Sequence, residues 1–212
     1  NLVLNGAINT NTAGINVNAG TLTLGGANTF TGAATVNSGG VLSIANGAAL
    51  TSSNAVNFAA VSVPGTRMVL NGNNLTIGAL TSGTTNATIE NANAASATLT
   101  VSQATNTTYA GILQDGAGGG ALSLFKAGAG SLTLTNANTY SGGTVLNAGG
   151  LNLNNALAID TGIFTINGGV IDNTSGNAIV NAGNNAQNWN GNFQFTGSNS
   201  LKDRKSTRLN SS

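Results

Sequence analysis

The chain has no cysteine and no histidine. Without them a disulfide framework, a thiolate or imidazole metal site, a Cys–His dyad and a Ser–His–Asp triad are all excluded. Proline occurs once, at Pro64. It falls where alternation pauses and predicts a corner, because proline cannot donate to a strand ladder. Charged residues make up 5% of the 212 and aromatics 4%, against about a quarter charged in ordinary domains. Four of the six basic residues, Lys202, Arg204, Lys205 and Arg208, lie near the carboxyl end, leaving Arg67 and Lys126 against Glu90, Asp115, Asp160 and Asp172. No basic stripe exists to neutralise phosphates, so nucleic acid is not an expected partner. No run approaches the roughly 20 apolar residues of a membrane span, so no membrane contact is expected from this segment.

What the chain has in quantity is Gly, Asn, Thr, Ser and Ala, arranged with a repeat. Gly20 to Gly40 reads GTLTLGGANTFTGAATVNSGG, and Gly130 to Gly150 reads GSLTLTNANTYSGGTVLNAGG. Repetition of this kind marks a solenoid, whose units bury their apolar faces only against neighbours. Period-2 alternation recurs in Thr21–Leu24, Leu42–Ile44, Leu75–Ile77, Thr98–Val101, Leu122–Leu124, Leu132–Leu134, Leu151–Leu153 and Phe164–Ile166. Bounded by Gly and Asn, these runs predict half-buried strands. No segment has helical spacing; Ala92 to Ala97 lacks it despite its alanines. The expected fold is therefore all-β, a β-solenoid of parallel coils. With coils of roughly 20–25 residues, the offset between copies predicts about five coils and equivalent positions for both.

The stretch from Tyr109 onward carries Gly111-Ile112, a Gly-rich bend from Asp115 to Gly120, and Lys126-Ala127-Gly128-Ala129-Gly130. Leu132-Thr133-Leu134, Ala137-Asn138-Thr139-Tyr140-Ser141-Gly142-Gly143-Thr144 and Ala148-Gly149-Gly150-Leu151 follow. This series resembles the passenger-associated β-strand repeat of bacterial autotransporters. The copy at Gly20 is more degenerate, with Phe30 for Tyr and Ala34 for Thr and no Lys-x-Gly step. The resemblance implies a right-handed single-stranded parallel β-helix, a piece of a longer rod. It also implies an extracellular setting at the bacterial cell surface, held to the outer membrane by other parts of the chain. A structural, non-catalytic stalk or passenger is then the expected role, its first partners being the neighbouring coils of the same parent chain. An adhesin whose side face binds glycans or a cell surface is the alternative, and a polysaccharide-active enzyme the third reading.

No catalytic, cofactor or metal residues are expected. Asp160 and Asp172 stand about half a coil apart, which predicts different faces instead of a glycosidase pair. Asp115-Gly116 and Asp172-Asn173 read as turns. Gly116 to Ala121 satisfies G-x-G-x-x-A, but a strand follows where a phosphate-binding loop needs a helix. Phe30 and Tyr140 share a repeat position and are expected to pack in the core. Trp189, Phe193 and Phe195 form the densest aromatic cluster, and their even spacing predicts one face of one strand. Core packing is the favoured reading for these three, and glycan contact the alternative.

Asp203 to Ser212, DRKSTRLNSS, breaks the style of everything before it and resembles a translated sequencing adapter. The reading is thus a solenoid segment over 1–202, with repeats near 20–44 and 130–153, and a non-native tail over 203–212.

Overall fold

A computed structural model describes residues 1–9, 12–59 and 63–203. Among these residues there is no helix; strands of three to six residues follow one another, and every strand pairing is parallel. All eight alternating runs predicted from the sequence lie in strands. Pro64 sits in the turn before the strand Arg67–Val69.

The strands stack into a β-solenoid of about nine coils. Sheet I contains Leu2–Leu4, Gly20–Leu24, Gly40–Ile44, Arg67–Val69, Thr88–Glu90 and Ile112–Gln114. Sheet II has nine strands, from Ile15–Val17 to Phe193–Phe195. Sheet III contains Leu75–Ile77, Ala97–Ser102, Leu122–Ala127, Thr144–Leu146, Phe164–Ile166 and Gln187–Trp189. Ile179–Asn181 and Leu201–Asp203 form a fourth, two-stranded sheet. The first coils alternate between sheets I and II. From Arg67 the chain visits I, III and II in turn, and after Gln114 it returns to sheets III and II.

Alternation sorts side chains between inside and outside. In sheet I the register stacks Leu22, Leu42, Met68, Ile89 and Leu113 as one inward row. Met68, Ile89 and Leu113 are wholly buried, each such burial contributing about 1.5–3 kcal/mol. Outside sheet II the register stacks Asn16, Thr35, Asn57 and Thr81, then Thr108, Thr133 and Asn152. Thr81 Oγ1 donates to Asn57 Oδ1 at 2.6 Å and Asn152 Nδ2 to Thr133 Oγ1 at 2.9 Å. Parallel rungs lie about 4.8 Å apart, so like charges would repel there while amides and hydroxyls bond.

One expectation is corrected. The two repeat copies do not occupy equivalent positions: Gly20–Leu24 lies in sheet I and Ser131–Leu134 in sheet II. From Leu22 the sheet I row passes through Leu42, Met68, Ile89 and Leu113. The next return is the bridge from Gln114 to Thr139, after the second copy has begun. The offset thus falls short of a fifth coil by one side. Coil length is the reason: Gly20 pairs with Gly40, whereas Leu42 pairs with Met68 and Ile89 with Leu113, so the intervening coils are longer and shift the phase.

Candidate functional site

Each copy of the repeat is one self-closed coil. Gly20 pairs with Gly40 in the first and Ser131 with Gly150 in the second. The closing glycine pair has two jobs. Gly39 and Gly149 hold positive φ of 84° and 70°, which favours a residue without Cβ. Gly40 and Gly150 sit tight on the coil below, where a Cβ would lie 2.4 Å from the Val17 carbonyl oxygen and 2.1 Å from Ser131 Oγ.

The Asn of each Ala-Asn-Thr segment joins three coils. Asn28 accepts the Ile8 N–H at 2.8 Å and donates to the Ala49 carbonyl at 2.9 Å. Asn138 accepts the Leu113 N–H at 2.8 Å and donates to the Ala158 carbonyl at 2.7 Å. Both are buried, so each amide satisfies backbone groups that water cannot reach. Asn54, Asn91, Asn173 and Asn185 likewise bond corner carbonyls of adjacent coils.

The aromatic that follows points inward. Phe30 and Tyr140 are buried, as expected, though on different sides of the stack. The Tyr140 hydroxyl pairs with Thr144 Oγ1 at 2.5 Å, and burial pushes its phenol well up from the ordinary value. Phe30 and Ala34 take these two places in the first copy, removing both hydroxyls together.

Lys126 is fully buried. Its stem stands between Val101 and Leu146 in the inward row of sheet III. Nζ donates to the carbonyls of Ala127 at 2.6 Å, Gly128 at 3.2 Å and Ala148 at 3.3 Å. Burial lowers its pKa from the ordinary value to about 8. The next residue out of phase is Phe125, which points outward on the same strand, over Thr100 and under Val145. The inversion was legible in the alternation of Leu122-Ser123-Leu124-Phe125-Lys126, with Leu122 and Leu124 inside, but went unnoticed.

The four acids do not converge. Glu90 lies on the outside of sheet I, 3.1 Å from Arg67 Nε and accepting Gln114 Nε2 at 2.7 Å. Asp115 caps its turn by accepting the N–H groups of Leu122 and Ser141. Asp160 occupies a corner with φ of 39°. Burial pushes its carboxyl up against the lowering effect of the Thr161 N–H, and the charge of Asp115 adds to the rise. Asp172, 6% exposed, is opposed by desolvation, but hydrogen bonds from the Ser198 hydroxyl and from the N–H groups of Ser198, Asn173 and Gly197 outweigh it and hold the carboxyl below the usual range. Among the described residues no group of three or more acids could hold a metal ion. The Gly116–Ala121 stretch is a bend leading into the strand Leu122–Ala127.

The aromatic cluster is differently built from the single strand expected. A corner at Asn190–Asn192 puts Trp189 at the end of sheet III and Phe193 and Phe195 at the end of sheet II. Trp189 stands over Ile166 and Phe195 over Ile171, so both occupy inward register positions of the last coil. Trp189 is 67% exposed and meets Phe193 edge to face, with centroids 5.3 Å apart. Beneath them lies a cavity of about 230 Å³ lined by Phe164, Ile166, Ile171, Phe193, Phe195 and Leu201. The three rings therefore lie over the core in the last of the described coils instead of forming a side face. Beyond Asp203 the expected tail lies outside the described residues.

Stacked, self-closing coils joined by buried amides define a parallel β-solenoid repeat protein. More particularly, residues 1–24, 19–44 and 124–153 match the family model of the passenger-associated-transport-repeat, which is consistent with an autotransporter passenger repeat protein. No match emerges among curated proteins or among solved structures. The copy at 1–24 escaped the sequence reading although, at the offset of its closing residues, Ile8-Asn9-Thr10 stands where Ala27-Asn28-Thr29 stands in the next copy. Its signal was the closing Asn18-Ala19-Gly20, which returns as Asn37-Ser38-Gly39 and Asn147-Ala148-Gly149.

Proposed function

We propose that this chain is a structural, non-catalytic stalk or passenger segment of a secreted bacterial protein displayed at the cell surface. The observation that carries the reading is the union of the passenger-associated repeat with one continuous apolar core running through the coils. Parallel pairing ties each coil to the next, and the Asn bridges tie coils three at a time, so bending requires breaking several bonds at once. The neutral Asn/Thr outer ladders keep stacked rungs free of like-charge repulsion. The result is a stiff spacer that presents other modules away from the surface.

Antibodies against the solenoid segment test this on intact cells of the source bacterium. Labelling of unpermeabilised cells, lost after brief external protease treatment, is expected. Antigen recovered only from the soluble cytoplasm would overturn the reading.

A second reading, adhesion through a side face, is favoured by one observation: Phe125 is directed outward from sheet III into a lateral groove.

A further inference from the structure

The groove follows from the inverted strand. Because Leu122, Leu124 and Lys126 face the core, Ser123 and Phe125 must face outward, and the register places Val145 and Thr165 on the next two rungs and Asn188 on the third. Ile163, 54% exposed, stands at the rim. The space between them is about 350 Å³. Gly142 and Gly143 keep its floor low; a Cβ on Gly142 would lie 2.2 Å from Ser123 Oγ.

We propose that this groove on the outer face of sheet III binds a neutral carbohydrate chain, with Phe125 as the platform for a sugar ring. Three ligand classes fail against the lining. A peptide adding as a strand needs a free sheet edge, but the strands Leu122–Ala127, Thr144–Leu146 and Phe164–Ile166 each have a neighbour on both sides. A charged ligand finds no countercharge, since none of the lining residues is ionisable. A hydrocarbon chain would leave the Thr165 and Asn188 side chains without partners, the Ser123 hydroxyl already donating to the Gly142 carbonyl at 3.0 Å. A neutral sugar matches both halves. Its C–H face lies on the ring of Phe125 beside Val145 and Ile163, and its hydroxyls reach Ser123, Thr165 and Asn188. The groove crosses five rungs, from Thr98 to Asn188, or about 20 Å at parallel-sheet spacing. That length suits several linked sugars running along the solenoid axis. The inference goes beyond the stalk reading and does not depend on where the chain is displayed.

The test is calorimetric titration of the full chain with neutral hexasaccharides built on glucose, galactose, mannose and N-acetylhexosamine. At least one is expected to bind, and Phe125→Thr to weaken it about ten-fold by removing the ring platform. Threonine already occupies the same outward row at Thr100 and Thr165, so the circular dichroism melt should be retained. Ile163→Ser, at an exposed rim position, should weaken binding about three-fold by trimming apolar contact, and gives the answer if Phe125→Thr fails to fold. Trp189→Ala should leave binding unchanged. The proposal is overturned if no neutral hexasaccharide binds at millimolar concentration or if only uronic or sulfated chains do. It is equally overturned if binding survives the groove substitutions or is lost with Trp189→Ala.

Discussion

The repeat at residues 20–40 and its copy at 130–150 close their coils in the same way, yet they face different sides of the solenoid and differ in what fills the corner. Both end on a glycine pair, and both use one buried Asn to bond the coil below and the coil above. Only the second has the buried lysine and the hydroxyl pair. The repeat therefore encodes a coil and not a face. Because a copy returns to its own starting glycine, its rotational position is set by the lengths of the coils between copies.

The largest expected effect comes from breaking what the copies share. Asn138→Ala leaves the Leu113 N–H and the Ala158 carbonyl buried and unpaired, at about 1–3 kcal/mol each, so a loss of about 3 kcal/mol is expected in urea denaturation followed by circular dichroism. Asn28→Ala should cost less, because its lower partner Ile8 is only partly buried and water can replace the amide. Equal losses at both sites would show that the bridge is insensitive to its place in the stack.

Most of this fold was legible because a solenoid is local. Alternation in Leu75-Thr76-Ile77 and its like set inside and outside, and Gly/Asn punctuation set the corners. Phase was not legible, since it depends on coil lengths summed over the stretch between Leu42 and Leu113, where no repeat is recognisable to count by. The aromatic site was misread for a related reason. Even spacing from Trp189 to Phe195 implies one face only if no corner intervenes, and Asn190-Gly191-Asn192 is a corner. Phe125 was missed although its phase could be read, because Leu-Ser-Leu-Phe-Lys resembles an ordinary strand end until Lys126 is assigned to the core.

The lysine sharpens the comparison next. Lys126→Met removes the donor from three carbonyls while also removing a buried charge, and the two effects oppose each other. A net loss of about 2 kcal/mol is expected, since the unpaired carbonyls cost more than the desolvated ammonium. The pH dependence separates the two. Burial lowers the folded pKa to about 8, so between that value and the unfolded lysine value of about 10.4 the unfolded chain holds more protons. Stability of the parent chain should therefore rise with pH above about 8, until the buried phenols of Tyr109 and Tyr140, which burial holds protonated in the folded chain, reverse the trend near the unfolded tyrosine value of about 10. Asp172 acts at the other end: its carboxyl is held low in the folded chain, so its contribution is present above the unfolded value of about 3.9 and fades as pH falls through the folded one. The Lys126→Met chain should lose the alkaline rise and keep the acid loss; a rise that persists would place its origin elsewhere.

The smallest expected effect concerns the corner itself, where the first copy already displays the answer. Thr144→Ala strands the Tyr140 hydroxyl in the core and should cost about 1–2 kcal/mol. Tyr140→Phe strands the smaller Thr144 hydroxyl and should cost about 1 kcal/mol. The double change recreates the Phe30 and Ala34 pair of the first copy, in which no hydroxyl remains to be satisfied. It should therefore lie within about 0.5 kcal/mol of the parent chain, a coupling that a double-mutant cycle reads directly. If the two losses simply add, the corner of the second copy depends on Tyr140 and Thr144 separately, and the interchangeability of the two corners fails. If they cancel, Phe/Ala and Tyr/Thr are alternative fillings of one corner. The Phe30 copy would then be no degenerate version of the repeat but an apolar form of it, free of the hydroxyl pair that the second copy must keep intact.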